Sequence, residues 1–167
     1  MAAPALTLML LLAALASPQE PGALCATCHS EHAEDLRSHK HFAAKLSCEV
    51  CHGASEKHRK AVGAAAPDRV AAPDEVPALC GGCHAPQQKT YVASTHGKLV
   101  LARSSKRAAN CGACHGVHAP RWAAAMERQC ARCHESLPQS CKGAPRQVNA
   151  RLACAGCHEP HSLARQQ

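Results

Sequence analysis

One five-residue word, Cys-x-x-Cys-His, occurs six times in the chain. Its copies are Cys25, Cys28 and His29; Cys48, Cys51 and His52; Cys80, Cys83 and His84; Cys111, Cys114 and His115; Cys130, Cys133 and His134; and Cys154, Cys157 and His158. Two thiols three positions apart, with an imidazole directly after the second, form the attachment pattern of a c-type haem. The thiols become thioethers on the porphyrin and the imidazole takes the iron. A lone Cys-x-x-Cys would serve a zinc ribbon or a redox disulfide equally well. Neither requires the adjacent histidine, and disulfides alone would leave six histidines unexplained. The repeat predicts six covalently attached haems.

The second iron ligands must come from elsewhere. Of thirteen histidines, seven lie outside the words: His32, His39, His41, His58, His96, His118 and His161. Six-coordinate iron throughout would use six of them and leave one over. His32, His118 and His161 each stand three residues after a word. A side chain at that offset points more naturally at a neighbouring porphyrin than at its own, which would tie adjacent haems into pairs. The plainer alternative is a solvated imidazole at a haem edge. His58 follows His52 by six residues, and His96 sits in Ser94-Thr95-His96-Gly97. His39 and His41 compete for one place; His41 is the expected ligand, with His39 left in solvent. Met126 offers either a potential-raising ligand or simple packing against a haem face. No residue is assigned a catalytic role.

One comparison within the chain leaves two readings open. Ser140-Cys141-Lys142-Gly143 repeats the pattern of Ser94-Thr95-His96-Gly97 ahead of a word, with Lys142 in the place of the histidine. Cys141 is the one cysteine outside the words. Either one haem is bound by Lys142 or Cys141, or has an open position, or these are an exposed lysine and a free thiol.

The elements that must carry these groups are short. The 167 residues include one Trp, one Tyr and one Phe, and Ala and Cys supply much of the apolar content. Such side chains bury little area, so a core needs the porphyrins themselves. The expected fold class is mainly α with much irregular coil and few or no strands, its core formed by haems. Helices are expected over 32–45, 53–64, 87–103 and 120–129. In the last of these Pro120 would occupy the first turn, and Trp122 and Met126 would share a face. Residues 138–149 read as irregular. The proline-rich stretch 65–78 reads as an extended linker between a two-haem module at 17–64 and a four-haem module at 79–167. It would either hinge the two modules or lie across the surface.

Residues 1–16 read as a secretory signal. Their apolar run is too short to span a bilayer and ends in the small-x-small pattern Ala14-Leu15-Ala16. The lack of Lys or Arg in 1–5 is off-pattern and leaves a weak anchor as the alternative. Export fits haem attachment, which bacteria carry out beyond the cytoplasmic membrane, and it predicts a periplasmic protein with no required membrane association. The formal charge of +7 would suggest an anionic partner. The propionates of six haems take that balance negative before the ferric irons return it near neutral, so no nucleic-acid partner is expected.

The order of these words resembles the small periplasmic pentahaem cytochromes that donate electrons in formate-dependent nitrite reduction. It is also similar to the decahaem cytochromes of outer-membrane conduits. The likeness rests on Ser47-Cys48-Glu49-Val50-Cys51-His52-Gly53 with Lys57-His58-Arg59 after it. It continues through Cys80 to His84, Pro86-Gln87-Gln88, His96, Cys111 to His118 and Cys130 to His134. The sixth word and the Lys142 position depart from it. The resemblance implies bis-histidine haems in close succession. They would relay electrons from a quinol-oxidising membrane cytochrome to a terminal reductase or an outer-membrane complex. The rival expectation is a small reductase of the nitrite, hydroxylamine or tetrathionate type, working at one open haem.

Overall fold

The structure is a computed structural model that describes residues 20–103, 108–134 and 154–166. The expected signal segment, the irregular stretch 138–149, Cys141 and Lys142 lie outside the described residues. Among the described residues ten short helices follow in order: α1 (Ala23–Ala26), α2 (Ser30–Arg37), α3 (Lys40–Ala43), α4 (Cys48–His52), α5 (Glu56–Lys60), α6 (Val76–Gly81), α7 (Ala85–Ala93), α8 (Thr95–Leu101), α9 (Cys111–His115) and α10 (Ala123–Ala131). Among the described residues there is no strand, only one isolated antiparallel bridge between His158 and Arg165. The fold is mainly α and rich in coil, as the sequence predicts.

Each attachment word closes a single helical turn. The His29 N–H donates to the Cys25 carbonyl at 2.9 Å, and His84, His134 and His158 do the same to Cys80, Cys130 and Cys154. The second and fourth words are α4 and α9 themselves, each ended by a glycine of positive φ, Gly53 at 75° and Gly116 at 73°. That conformation penalises any Cβ. At Gly116 the penalty is compounded, because a Cβ would stand 2.0 Å from the Ala119 carbonyl oxygen. The chain turns back tightly there, and the turn carries His118.

The expected long helices are broken, and capping explains where. The predicted 87–103 helix divides into α7 and α8 at Ser94, whose hydroxyl accepts from the Gly97 N–H at 3.0 Å. Serine caps a new helix here in preference to continuing the old one. The predicted 32–45 helix divides at Ser38 and His39, where the His39 ring accepts from the His41 N–H at 3.1 Å. The predicted 53–64 helix shrinks to α5, because Gly53 and Ser55 both have positive φ and Ser55 is tied to Asp68. Pro120 is not in the first turn of α10. It lies in the loop that returns Arg121 to the His115 carbonyl, and Trp122 is the capping position.

Side chains alone make little interior. Tyr91 and Val100 are the buried apolar side chains among the described residues, with Pro77 beside them, while Trp122 is 70% exposed. They sit where α6 packs on α7 and α7 on α8. The stretch 65–78 runs extended to residue 72 and turns into α6. It is a strap tied at both ends. Arg69 donates to the carbonyls of Cys51 and Val50, and Asp68 exchanges hydrogen bonds with Ser55. Further on, Asp74 pairs with Arg103 at 2.7 Å and the Pro73 carbonyl accepts from Asn110.

Candidate functional site

A single turn sets the first and second cysteines three residues apart and the histidine four beyond the first, so all three project from one side. The sequence supplies six such turns, and the rest of the fold decides what stands opposite each imidazole.

Five word-histidines face a second imidazole at nearly one distance. Ring centroids are 5.9 Å apart for His29 and His58, 5.9 Å for His52 and His118, and 6.0 Å for His84 and His41. They are 6.0 Å apart for His134 and His96 and 6.1 Å for His115 and His161. The ring planes of these pairs lie within 13° to 33° of each other. Two imidazoles bound trans to one metal at about 2 Å each, with about 1 Å more from nitrogen to ring centre, hold their centroids about 6 Å apart. Direct stacking would bring them closer, as His32 and His118 are at 4.6 Å. The spacing fits a six-coordinate iron between each pair.

Backbone carbonyls orient three of the rings. The Nδ1 of His52 lies 3.0 Å from the Arg69 carbonyl, that of His58 2.7 Å from Ala65, and that of His158 3.0 Å from Leu163. Each carbonyl accepts the Nδ1 proton, which leaves the Nε2 lone pair for a metal. Burial holds His96, His115 and His118 below the ordinary histidine range, with neighbouring imidazoles adding to the effect. Neutral imidazole is the form that binds metal.

The cysteines show how the turns follow one another. The Cys25 thiol lies beside Cys48, Cys111 beside Cys80, and Cys154 beside Cys130 and Glu127. Cys51 feels Cys80 and Cys83, and Cys114 feels Cys130 and Cys133. Every word therefore adjoins the next in sequence order. Burial first, and then these neighbours, push the thiols up, to about 11 at Cys111 and about 12 at Cys154. Among the described residues, no three or more His, Cys, Asp or Glu gather as a cage for a bare metal ion.

The remaining ring positions are distinct. His32 lies 6.4 Å from His29 and against His118, so it shares surroundings that His58 and His52 also occupy. His39 stands 4.4 Å from His41 and caps α3. His158 has no second ring opposite it among the described residues.

Several supporting groups are not legible as such in the sequence. Arg69 both caps α4 through two carbonyls and presents its own carbonyl to His52. Arg121 donates to the Gly112 and Ala113 carbonyls of α9 at 3.0 and 2.9 Å. Glu127 accepts from the Cys154 N–H and ties α10 to the sixth turn. These are long-range contacts of ordinary surface residue types, and only Asn110, a capping residue directly before a word, carried a local signal.

The family model described as cytochrome c3 matches residues 38–135. That span holds the second to fifth words and leaves the first and sixth on either side. No curated protein and no solved structure matches the chain.

Proposed function

The chain belongs to the cytochrome c3 family, multihaem c-type cytochromes of electron transfer, and from that premise we propose that it is a hexahaem relay whose haems stand in the order of their words. The observation that carries this reading is the set of five imidazole pairs at 5.9 to 6.1 Å. In this reading the twelve word-cysteines attach six haems, and His29, His52, His84, His115, His134 and His158 are the iron ligands on the attachment side. His58, His118, His41, His161 and His96 complete the first five in that order.

Bound haem supplies one-electron redox chemistry. The chain supplies position and electrostatics. Residues distant in sequence supply each second ligand, so the ligand pairs staple the backbone and hold adjacent turns together. The pairs His41–His84 and His52–His118 both cross the strap 65–78. Carbonyl partners at Nδ1 orient His52 and His58, and burial lowers the proton affinity of His96, His115 and His118. An electron entering at one end would pass between neighbouring haems without any bond being made or broken in the protein.

The place of this relay is the bacterial periplasm, reached by export on residues 1–16. Among the described residues no helix is long and apolar enough to cross a membrane. Its partners are redox proteins: a quinol-oxidising membrane cytochrome on one side and a terminal reductase or outer-membrane complex on the other, as in the pentahaem and decahaem proteins it resembles.

Intact-mass analysis and a pyridine haemochrome count test the cofactor number, with six haems expected. Pulse injection of single electrons into oxidised holoprotein tests the relay. The optical change should spread over several haems at a rate independent of protein concentration. Haems that equilibrate only through collisions between molecules would overturn the reading.

A further inference from the structure

The thirteen histidines all lie among the described residues, so every imidazole of the chain has a place. Ten form the five pairs. Of the other three, His32 lies against His118 and near His29, and His39 caps α3 beside His41. The last is His158, at the sixth word.

The His158 turn is otherwise built like its fellows. The His158 N–H donates to the Cys154 carbonyl at 2.9 Å, and Nδ1 is taken by the Leu163 carbonyl at 3.0 Å. The segment after it closes on this same side: the Glu159 N–H donates to Ala164 and the Gln166 N–H to Cys157. Glu127 and Cys130 anchor the start of the turn to α10. His161 stands three residues on, but its ring faces His115. One side of an iron is thus fully prepared here, and no histidine stands across from it.

We propose that the haem carried by Cys154, Cys157 and His158 is a ligand-binding haem, whose iron gives its sixth position to a small exogenous ligand of haem iron. Carbon monoxide is the probe for the ferrous state and cyanide for the ferric. This inference rests on the hexahaem reading above and assigns a binding site, with no reaction attached to it. It places the exchangeable haem beyond the family-matched span and next to the fifth haem, at one end of the series.

The test uses full-length holoprotein. Haem is first counted by intact mass and pyridine haemochrome; carbon monoxide is then titrated into the reduced protein. The expected result is six haems and one carbon monoxide bound per chain. The variant Cys154→Ala/Cys157→Ala should carry five haems and bind none. Six haems with no carbon monoxide bound would overturn this inference and leave the hexahaem reading standing. Five haems in the unaltered protein, with Cys154 and Cys157 as free thiols, would overturn both. Carbon monoxide binding that persists in the five-haem variant would also overturn it. Should the variant fail to accumulate, cyanide titration of the unaltered ferric protein decides. One high-spin haem in six converting to low spin supports the site, and wholly low-spin haem at the outset refutes it.

Discussion

Replacing His118 removes the ring that faces His52 and cuts a staple between α4 and the turn after α9. In the chain-entropy picture, a cross-link closing a loop of roughly 65 residues is worth about 4 kcal/mol. For a protein of this size that corresponds to about 10 °C in melting temperature. The pair His41–His84 already shortens the free loop, so the measured loss should fall at or below that value. A replacement lies close by: His32 sits 4.6 Å from His118 and can reach the vacated position with a modest shift. The decisive variant is therefore His32→Ala/His118→Ala, compared with His118→Ala alone. Differential calorimetry should show the lower melting temperature. Carbon monoxide titration of the double variant should show one more ligand-accepting haem than the unaltered protein. If the double variant keeps its melting temperature within about 2 °C and gains no ligand-binding haem, the assignment of His118 to the second haem is wrong.

Other substitutions follow from the same geometry. His39→Ala should leave the ferric spectrum unchanged, whereas His41→Ala should open one haem to ligand, because His41 alone of the two faces His84. Gly116→Ala forces a Cβ to within 2.0 Å of the Ala119 carbonyl at a positive φ. It should cost about 1–3 kcal/mol by denaturant titration and loosen the haem served by His118. Arg69→Met removes two hydrogen bonds to α4 carbonyls, a charge-assisted contribution of about 1.5–3 kcal/mol at most. Haem count should remain intact while melting temperature falls. Apoprotein made without haem attachment should lack protease resistance and much of its helical circular dichroism, since Tyr91 and Val100 are too small a core to fold around.

The attachment turns were legible because their chemistry is local. Five contiguous residues specify each, and the sulfur and nitrogen types leave little room for other uses. The absence of strand patterns and the scarcity of large apolar residues gave the fold class by the same kind of local reading. Helix boundaries were less legible. Ser94, Ser38 and Gly53 look harmless within apolar or charged stretches, yet capping and positive φ at these points decide where each helix stops. Which imidazole faces which was not legible, because His118 meets His52 across roughly 65 residues and His161 meets His115 across roughly 45, a separation that local periodicity does not encode. The contacts of Arg69 and Glu127 are illegible in the sequence for the same reason. The pairing of rings belongs to the tertiary fold, and only the fold reveals that His158 stands apart.

Low-temperature electron paramagnetic resonance of the ferric holoprotein, integrated against its haem content, tests the central claim most directly. Near-parallel axial imidazoles give rhombic low-spin signals, whereas perpendicular planes give a single signal at very high g. The five pairs have planes within 13° to 33° of each other. The expected spectrum is five rhombic low-spin haems per chain, with a sixth that is distinct from them. Predominantly high-spin iron, or low-spin signals mainly of the perpendicular kind, would contradict the account.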